Sequence, residues 1–387
     1  MMLGLLLARA GIEVLVLEKH RDFLRDFRGD TIHPSTLEVL HELGLLDEFL
    51  KLPHQEVREL RAQFGDTLVP VASFGGLRVR CPFIAMIPQW DFLSFIARQA
   101  GRYPGFRLLM QAEATGLLRK EEAIVGIEAT GAQGPLRVNA DLVVGADGRH
   151  STVREKAGLE VIDIGAPIDA LWFRVSRRPG DPSDTMGRFD RGSILVMLNR
   201  GDYWQCAYVI PKGSFEAMRQ RGLEAFRAEI ASLLPFAAER MTELASWDDI
   251  KLLTVQVNRL KTWFRKGLLC IGDAAHAMSP VGGVGINLAI QDAVATANLL
   301  AGPLRAGVPS LAALRAVQKR WEFPTRVTQL LQVVVQDRIL GRILASDAPL
   351  RVPLAVKILG RYQWLQRIPA RVVGIGVRPE HIRSPAA

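Results

Sequence analysis

Apolar residues fill Met2 to Ala8 and end at Gly11, which is free to take the left-handed backbone that closes helices; the pattern predicts the second half of a buried helix over 1–10. Ile12 to Leu17 then read as a buried strand closed by Glu18. Pro34 to Leu43 repeat Leu37, Leu40 and Leu43 on a helical period, with Pro34 or Ser35 at the start and Gly44 at the stop. Short strands are predicted at Val57–Phe64 and Leu68–Phe74, turning at Gly65-Asp66, and a helix at Trp90–Ala100 with Phe92, Phe95 and Ile96 inward. Three strand-like runs between Glu113 and Asn139 predict an antiparallel meander leading into the apolar strand Asp141–Gly145.

From about 160 to 260 the period changes to longer strands, Ile168–Val175, Ser193–Leu198 and Tyr203–Ile210, with an amphipathic helix expected over Phe215–Leu234. Buried-strand character returns at Gly267–Ile271, followed by a long helix from about Gly285 to Leu300 and helical sequence beyond 310. The fold class is therefore α/β: a discontinuous Rossmann-like domain over 1–159 and 260–345, a mostly antiparallel sheet domain over 160–259, and a basic helical tail over 346–387.

A chain of 387 residues with 49% hydrophobic content is long enough for two cores. Cys81, Cys206 and Cys270 lack the paired spacing of a disulfide framework or a metal site, so no metal is expected and a cytoplasmic location is. The run at the N-terminus has no basic flank or cleavage site and is not read as a signal peptide, and no run approaches the ~18–20 consecutive apolar residues of a membrane span. A formal charge of +9 and a pI near 9.8 favour anionic ligands or surfaces. No basic motif with interleaved stacking aromatics occurs, so nucleic acid is not an expected partner. The tail from Arg351 to Arg383 mixes Arg and Lys with aliphatics and Trp364; a solvated basic surface is the commoner reading of such a pattern, with peripheral contact with an anionic membrane as the alternative, and oligomeric state has no signal.

Chemistry concentrates in two segments. In the first, the strand Leu268–Ile271 runs into Gly272-Asp273-Ala274-Ala275-His276, then Pro280, Gly282, Gly283, Gly285, Ile286 and Asn287. A strand-end carboxylate can accept hydrogen bonds from sugar-alcohol hydroxyls, the glycines allow close approach of a flat ligand, and the following helix aims its positive end at it. In the second, Ala146-Asp147-Gly148 follows a buried strand and is itself followed by Arg149, Ser151 and Arg154, a set able to orient a dinucleotide. Glu18 ends a strand as an acid that binds ribose hydroxyls does, yet the G-x-G-x-x-G that would lie about 20 residues upstream precedes Met1.

This ordered set resembles the FAD-dependent monooxygenases of the para-hydroxybenzoate hydroxylase type. The resemblance implies Glu18 at the adenosine ribose with Lys19 beside it, Arg28 and Gln89 near the pyrophosphate or ribityl region, Asp147 serving FAD and nicotinamide, and Asp273 on the ribityl chain. It places Pro280, Gly282, Gly283, Gly285, Ile286 and Asn287 along the flavin ring, with Pro280 and Gly282 at the oxygen-reacting side and no catalytic acid or base. The implied reaction takes a hydride from NADPH or NADH to FAD, adds O2 to give a flavin C4a-hydroperoxide, and hydroxylates a small aromatic or quinone-like substrate. Met197, Trp204, Cys206 and Tyr208 are candidates for the apolar pocket wall, with sheet packing the larger expectation for each, and His276 is expected to be structural. The absent first strand and glycine loop suggest a misplaced start or a truncated gene, and so a second reading: a non-catalytic remnant that does not retain FAD. Trp204 to Pro211 also echo loosely the W-x-W-x-I-P of flavin halogenases, without the second Trp.

Overall fold

A computed structural model describes residues 1–24, 31–182, 185–346 and 352–387. The apolar start forms the helix Met2–Arg9 with residues 2–8 all buried, packed on the helices Gly285–Arg305 and Gln89–Ala100. Gly4 is needed there: a Cβ would lie 3.0 Å from both Phe106 and Val16. The strand Val14–Glu18 pairs in parallel with Phe106–Met110, and Val143–Gly145 pairs in parallel with Leu268–Cys270. Among the described residues each of Val14–Glu18 and Val143–Gly145 has a strand on one side only. The meander is Glu113–Lys120, Ala123–Gly131 and Gly134–Asn139, all antiparallel.

A seven-stranded sheet runs in the order 251–253, 168–176, 203–211, 193–199, 186–190, 59–64, 67–73. Its hairpin Glu59–Ser73 comes from the first chain segment and joins through parallel pairing of Glu59–Phe64 with Met186–Asp190. The expected boundary at 159/160 therefore does not enclose this sheet; local alternation identifies a strand but not the sheet it enters. The expected helix Phe215–Leu234 is two helices, Phe215–Arg221 and Leu223–Leu233, broken where Gly222 takes φ 93°.

The sheet buries both faces, differently. Leu171, Phe173, Met197, Trp204, Cys206 and Tyr208 pack with Phe226 and Ile230 of the Leu223–Leu233 helix. The opposite face, with Ile168, Ile194 and Val209, packs with Leu340, Ile343 and Val281 of the glycine segment. Strand alternation fixes this partition, since successive side chains leave opposite faces.

The rim of the first core holds a buried ion pair. Arg240 donates to Asp181 at 2.7 and 2.9 Å, and the two side chains are 2% and 7% exposed. Hydrogen bonds from Arg240 hold the Asp181 carboxyl down at about 2 against the opposing effect of burial, helped by the Arg178 N–H and the Trp204 indole N–H. A depressed carboxyl contributes stability above its unfolded value, lost as pH falls through the folded one. Relative to Asp181→Asn, the wild-type chain should lose about 2 kcal/mol of urea-measured stability between about pH 5 and about pH 2. An unchanged difference between the two proteins across that range would refute the assignment.

Helix Gly285–Arg305 forms the central support. With the residues before it, Val281–Arg305 is long and apolar enough to cross a membrane, which single-run counting did not reveal, but 61% of its apolar window is buried in the core.

Candidate functional site

The parallel strands Val143–Gly145 and Leu268–Cys270 align Gly145 opposite Cys270, so Asp147 and Asp273 emerge just past the same edge of one sheet. Gly145 permits that alignment, because a Cβ would lie 2.9 Å from Val153 and 3.0 Å from the Cys270 sulfur. The exposed Asp147 accepts the Ser151 hydroxyl at 2.5 Å and the Val153 N–H at 3.0 Å, while Ser151 caps the helix Thr152–Lys156 by accepting from Arg154 N–H. The Arg154 guanidinium donates to Arg149 O at 2.6 Å and Ala274 O at 3.3 Å, tying the Asp147 turn to the Asp273 turn. Arg149 donates to Thr254 O at 2.9 Å, so both arginines brace the backbone here.

The Asp273 turn is held from beneath by Asp292, 0% exposed on the Gly285–Arg305 helix. One Asp292 oxygen accepts both Gly272 N–H at 2.7 Å and the His276 Nε2–H at 3.0 Å. The His276 ring lies 4.9 Å from that of Trp263 and is 1% exposed, as a structural histidine should be. Burial pushes the nearby Cys270 thiol up to about 12, which removes it as a nucleophile.

Past Pro280 the backbone turns through Gly282 at φ 80° and Gly283 at φ 64°. A Cβ on Gly283 would sit 2.6 Å from the Thr31 hydroxyl oxygen, and that hydroxyl donates to Gly283 O at 3.0 Å. Asn287 completes the clamp. Its Oδ1 accepts His33 N–H at 2.9 Å and the Thr36 hydroxyl at 2.8 Å, and its Nδ2 donates to Thr31 O at 2.9 Å. The Asn287 side chain is thus used within the protein, and only its backbone faces the role expected of it.

Helix Gly285–Arg305 begins without a side-chain cap or an acid in its first turn. Its first N–H groups, at Gly285, Ile286 and Asn287, have no acceptor within the helix. A Cβ on Gly285 would meet nothing nearer than Met278 at 4.0 Å, so there is open space beside these donors. Together the donors, the two positive-φ glycines and the strand-end carboxylates fit a flat, polar-edged group carrying hydroxyls on a chain, as FAD does.

Three glutamines on helix Leu311–Val335 and the π-turn that follows it set the height of this loop. Gln329 donates to Asn258 O and Ala277 O, Gln332 accepts Ser279 N–H and donates to Ser279 O and Val281 O, and Gln336 donates to the Ser279 hydroxyl. They were missed at the level of sequence, although their spacing of three and four on one helix face was a visible signal. Asp292, Thr31 and His33 carried no such signal. His33 is buried with Nδ1 at 2.8 Å from Val373 O, and burial pushes it down to about 4, so it is neutral at pH 7 and donates there.

The other predicted residues are dispersed. Glu18 ends its strand and accepts His20 N–H at 3.0 Å; Lys19 forms an exposed ion pair with Glu113 at 3.7 Å. Gln89 opens the Gln89–Ala100 helix after Pro88, and Arg28 lies outside the described residues. The proposed wall of Met197, Trp204, Cys206 and Tyr208 is on the sheet face turned toward Leu223–Leu233; the face packed with Val281 carries Ile194 and Val209 instead. Trp204 donates its indole N–H to Asp181 at 3.2 Å and so belongs to the ion-pair site.

Residues 1–330 match the family model described as FAD binding domain. The chain is 31% identical over 373 residues to 6-methylpretetramide 4-monooxygenase of Streptomyces rimosus, covering 95% of this chain and 88% of that protein. It is 27% identical to ubiquinone hydroxylase UbiL of Rhodospirillum rubrum, covering 88% and 78%. In fold it is similar to p-nitrophenol 4-monooxygenase PnpA of Pseudomonas putida, with a TM-score of 0.73 at 20% identity over 97% of this chain and 96% of that one. The chain belongs to the FAD-binding-domain family and, within it, to the FAD-dependent aromatic monooxygenases, and is an oxidoreductase.

Proposed function

We propose that this chain holds FAD between the Asp147–Asp273 edge and the Gly282–Asn287 turn and hydroxylates a small aromatic or quinone-like molecule with NADPH or NADH and O2. The observation that carries the reading is the uncapped start of helix Gly285–Arg305, fixed by Asn287 and Thr31 beside two strand-end carboxylates. FAD, when bound, supplies acceptance of a hydride and activation of O2 for transfer of one oxygen atom.

The chain's own residues bind, orient and exclude water. Asp273 accepts hydrogen bonds from ribityl hydroxyls and Glu18 from ribose hydroxyls, while Gln89 serves the pyrophosphate or ribityl region and Arg28 is assigned there by family resemblance. Asp147, with both oxygens already orienting its own turn, presents its remaining lone pairs to FAD and to the nicotinamide. The backbone N–H groups of Gly285 to Asn287 favour a negative ring edge through hydrogen bonding and the helix dipole. Pro280 and Gly282 line the reacting side, and the apolar face of Ile194, Val209 and Val281 keeps water away. No side chain is given a proton-transfer role, and His276 is engaged by Asp292.

The purified chain should carry flavin absorbance and show NADPH or NADH oxidation that rises on adding a phenolic or quinone-like substrate. A colourless chain that takes up no added FAD would overturn this reading in favour of a non-catalytic remnant.

A further inference from the structure

The last two well-formed helices show an unusual division of faces. Helix Leu354–Arg361 turns Val356 and Gly360 inward, with Val356 packed among Phe64, Val69 and Val352 and Gly360 against Val69. Helix Gln363–Gly374 likewise buries Gln366, Ala370 and Gly374, four residues apart, and packs on the edge strand Thr67–Ser73. The outward faces are apolar. Leu354 and Ile358 are 73% and 44% exposed, and Trp364, Ile368 and Val372 are 63%, 58% and 40% exposed. Spacings of four put each set on one stripe opposite the buried one.

Basic side chains border both stripes on the same side. At 100° per residue Lys357 and Arg361 flank Leu354 and Ile358, as Arg367 and Arg371 flank Trp364 and Ile368. All four are exposed, Arg367 with its guanidinium lying beside Gly76; none forms an ion pair among the described residues, and Leu354–Gly374 contains no Asp or Glu. Facing two copies through this surface would set eight cations together, which opposes self-association. An anionic lipid surface satisfies both requirements, taking the stripe into the acyl boundary and the cations at the headgroups.

We propose that the outer face of Leu354–Gly374 is a monotopic membrane-contact surface for anionic lipid. The same helix reaches the candidate site, since Val373 supplies the carbonyl that His33 binds and would lie 3.8 Å from a Cβ on Gly282. Membrane contact would thus open beside the glycine turn, suiting a substrate dissolved in lipid.

The test is co-sedimentation of the full, flavin-loaded chain with phosphatidylglycerol–phosphatidylcholine vesicles, with phosphatidylcholine vesicles alone, and in low and high salt. Binding should require phosphatidylglycerol and weaken in high salt, and both Trp364→Ser/Ile368→Ser and Arg361→Glu/Arg371→Glu should bind at least about tenfold more weakly. Flavin content and thermal midpoint should be unchanged, since these side chains are exposed. No sedimentation in low salt, or equal binding by either variant, overturns the proposal. So does a wild-type dimer that Trp364→Ser/Ile368→Ser converts to a monomer, which would assign the stripe to a second copy.

Discussion

Gly283→Val is expected to yield a folded chain that no longer retains flavin. Gly283 sits at φ 64°, where a β-branched residue costs of order 1–3 kcal/mol, and its Cβ would lie 2.6 Å from the Thr31 hydroxyl oxygen. That hydroxyl is anchored to Gly283 O and cannot retreat without breaking the bond, so the turn must shift and carry the Gly285–Asn287 donors with it. FAD affinity should fall about a hundredfold, by the rule that each 1.4 kcal/mol is tenfold. Fluorescence titration of flavin-stripped protein measures this. Gly282→Ala is the control, since it has φ 80° but its Cβ would meet only ordinary contacts at 3.6 and 3.8 Å. Its loss should be several-fold smaller. Gly283→Ala combined with Thr31→Ala should recover part of the affinity lost by Gly283→Ala alone, and no recovery would refute the steric account.

The second large effect is on stability. Asp292→Ala removes from a fully buried position the acceptor shared by Gly272 N–H and the His276 ring. Leaving two buried donors without a partner costs about 1–3 kcal/mol each, so a loss of about 3–5 kcal/mol is expected in urea unfolding of the flavin-free protein. Asp292→Asn keeps one acceptor and should lose about half as much. Because Gly272 positions Asp273, weaker flavin binding should accompany the Ala change. An Asp292→Ala chain within about 1 kcal/mol of wild type would show that the turn is held by packing alone.

Two parts of the site differ in how they are built. The glycine turn is supported from three directions, by Thr31 and Asn287 on one side, by Gln332 on another and by Asp292 below the preceding turn. The strand Val14–Glu18, by contrast, has a single described partner, and Leu15 on it is 38% exposed.

Much of this was legible in the chain because it is local. The apolar period gave the helices Met2–Arg9, Pro34–Glu42 and Gln89–Ala100 and the longer strands Ile168–Ser176, Ser193–Asn199 and Tyr203–Pro211 closely, but it did not give Phe106–Met110 or Met186–Asp190, and the run Val57–Phe64 is two strands, Gln55–Val57 and Glu59–Phe64. The order Glu18, Asp147, Asp273, Gly282–Asn287 pointed to the family, since strand-end acids and positive-φ glycines are demands of backbone geometry that a single chain segment satisfies. What the sequence could not contain is which strand face meets which element. Alternation puts Trp204 and Val209 on opposite faces of one strand, but because both faces are buried no polar side tells which one packs under Leu223–Leu233 and which with Val281. The roles of Asp292, Thr31 and the glutamines were hidden for a related reason. Their partners lie 16 to 252 residues away, and a hydrogen bond between distant segments exists only once packing has brought them within 3 Å. Sequence alone thus determined the family and most of the local elements, and tertiary structure decided which faces meet and what holds the glycine turn in place.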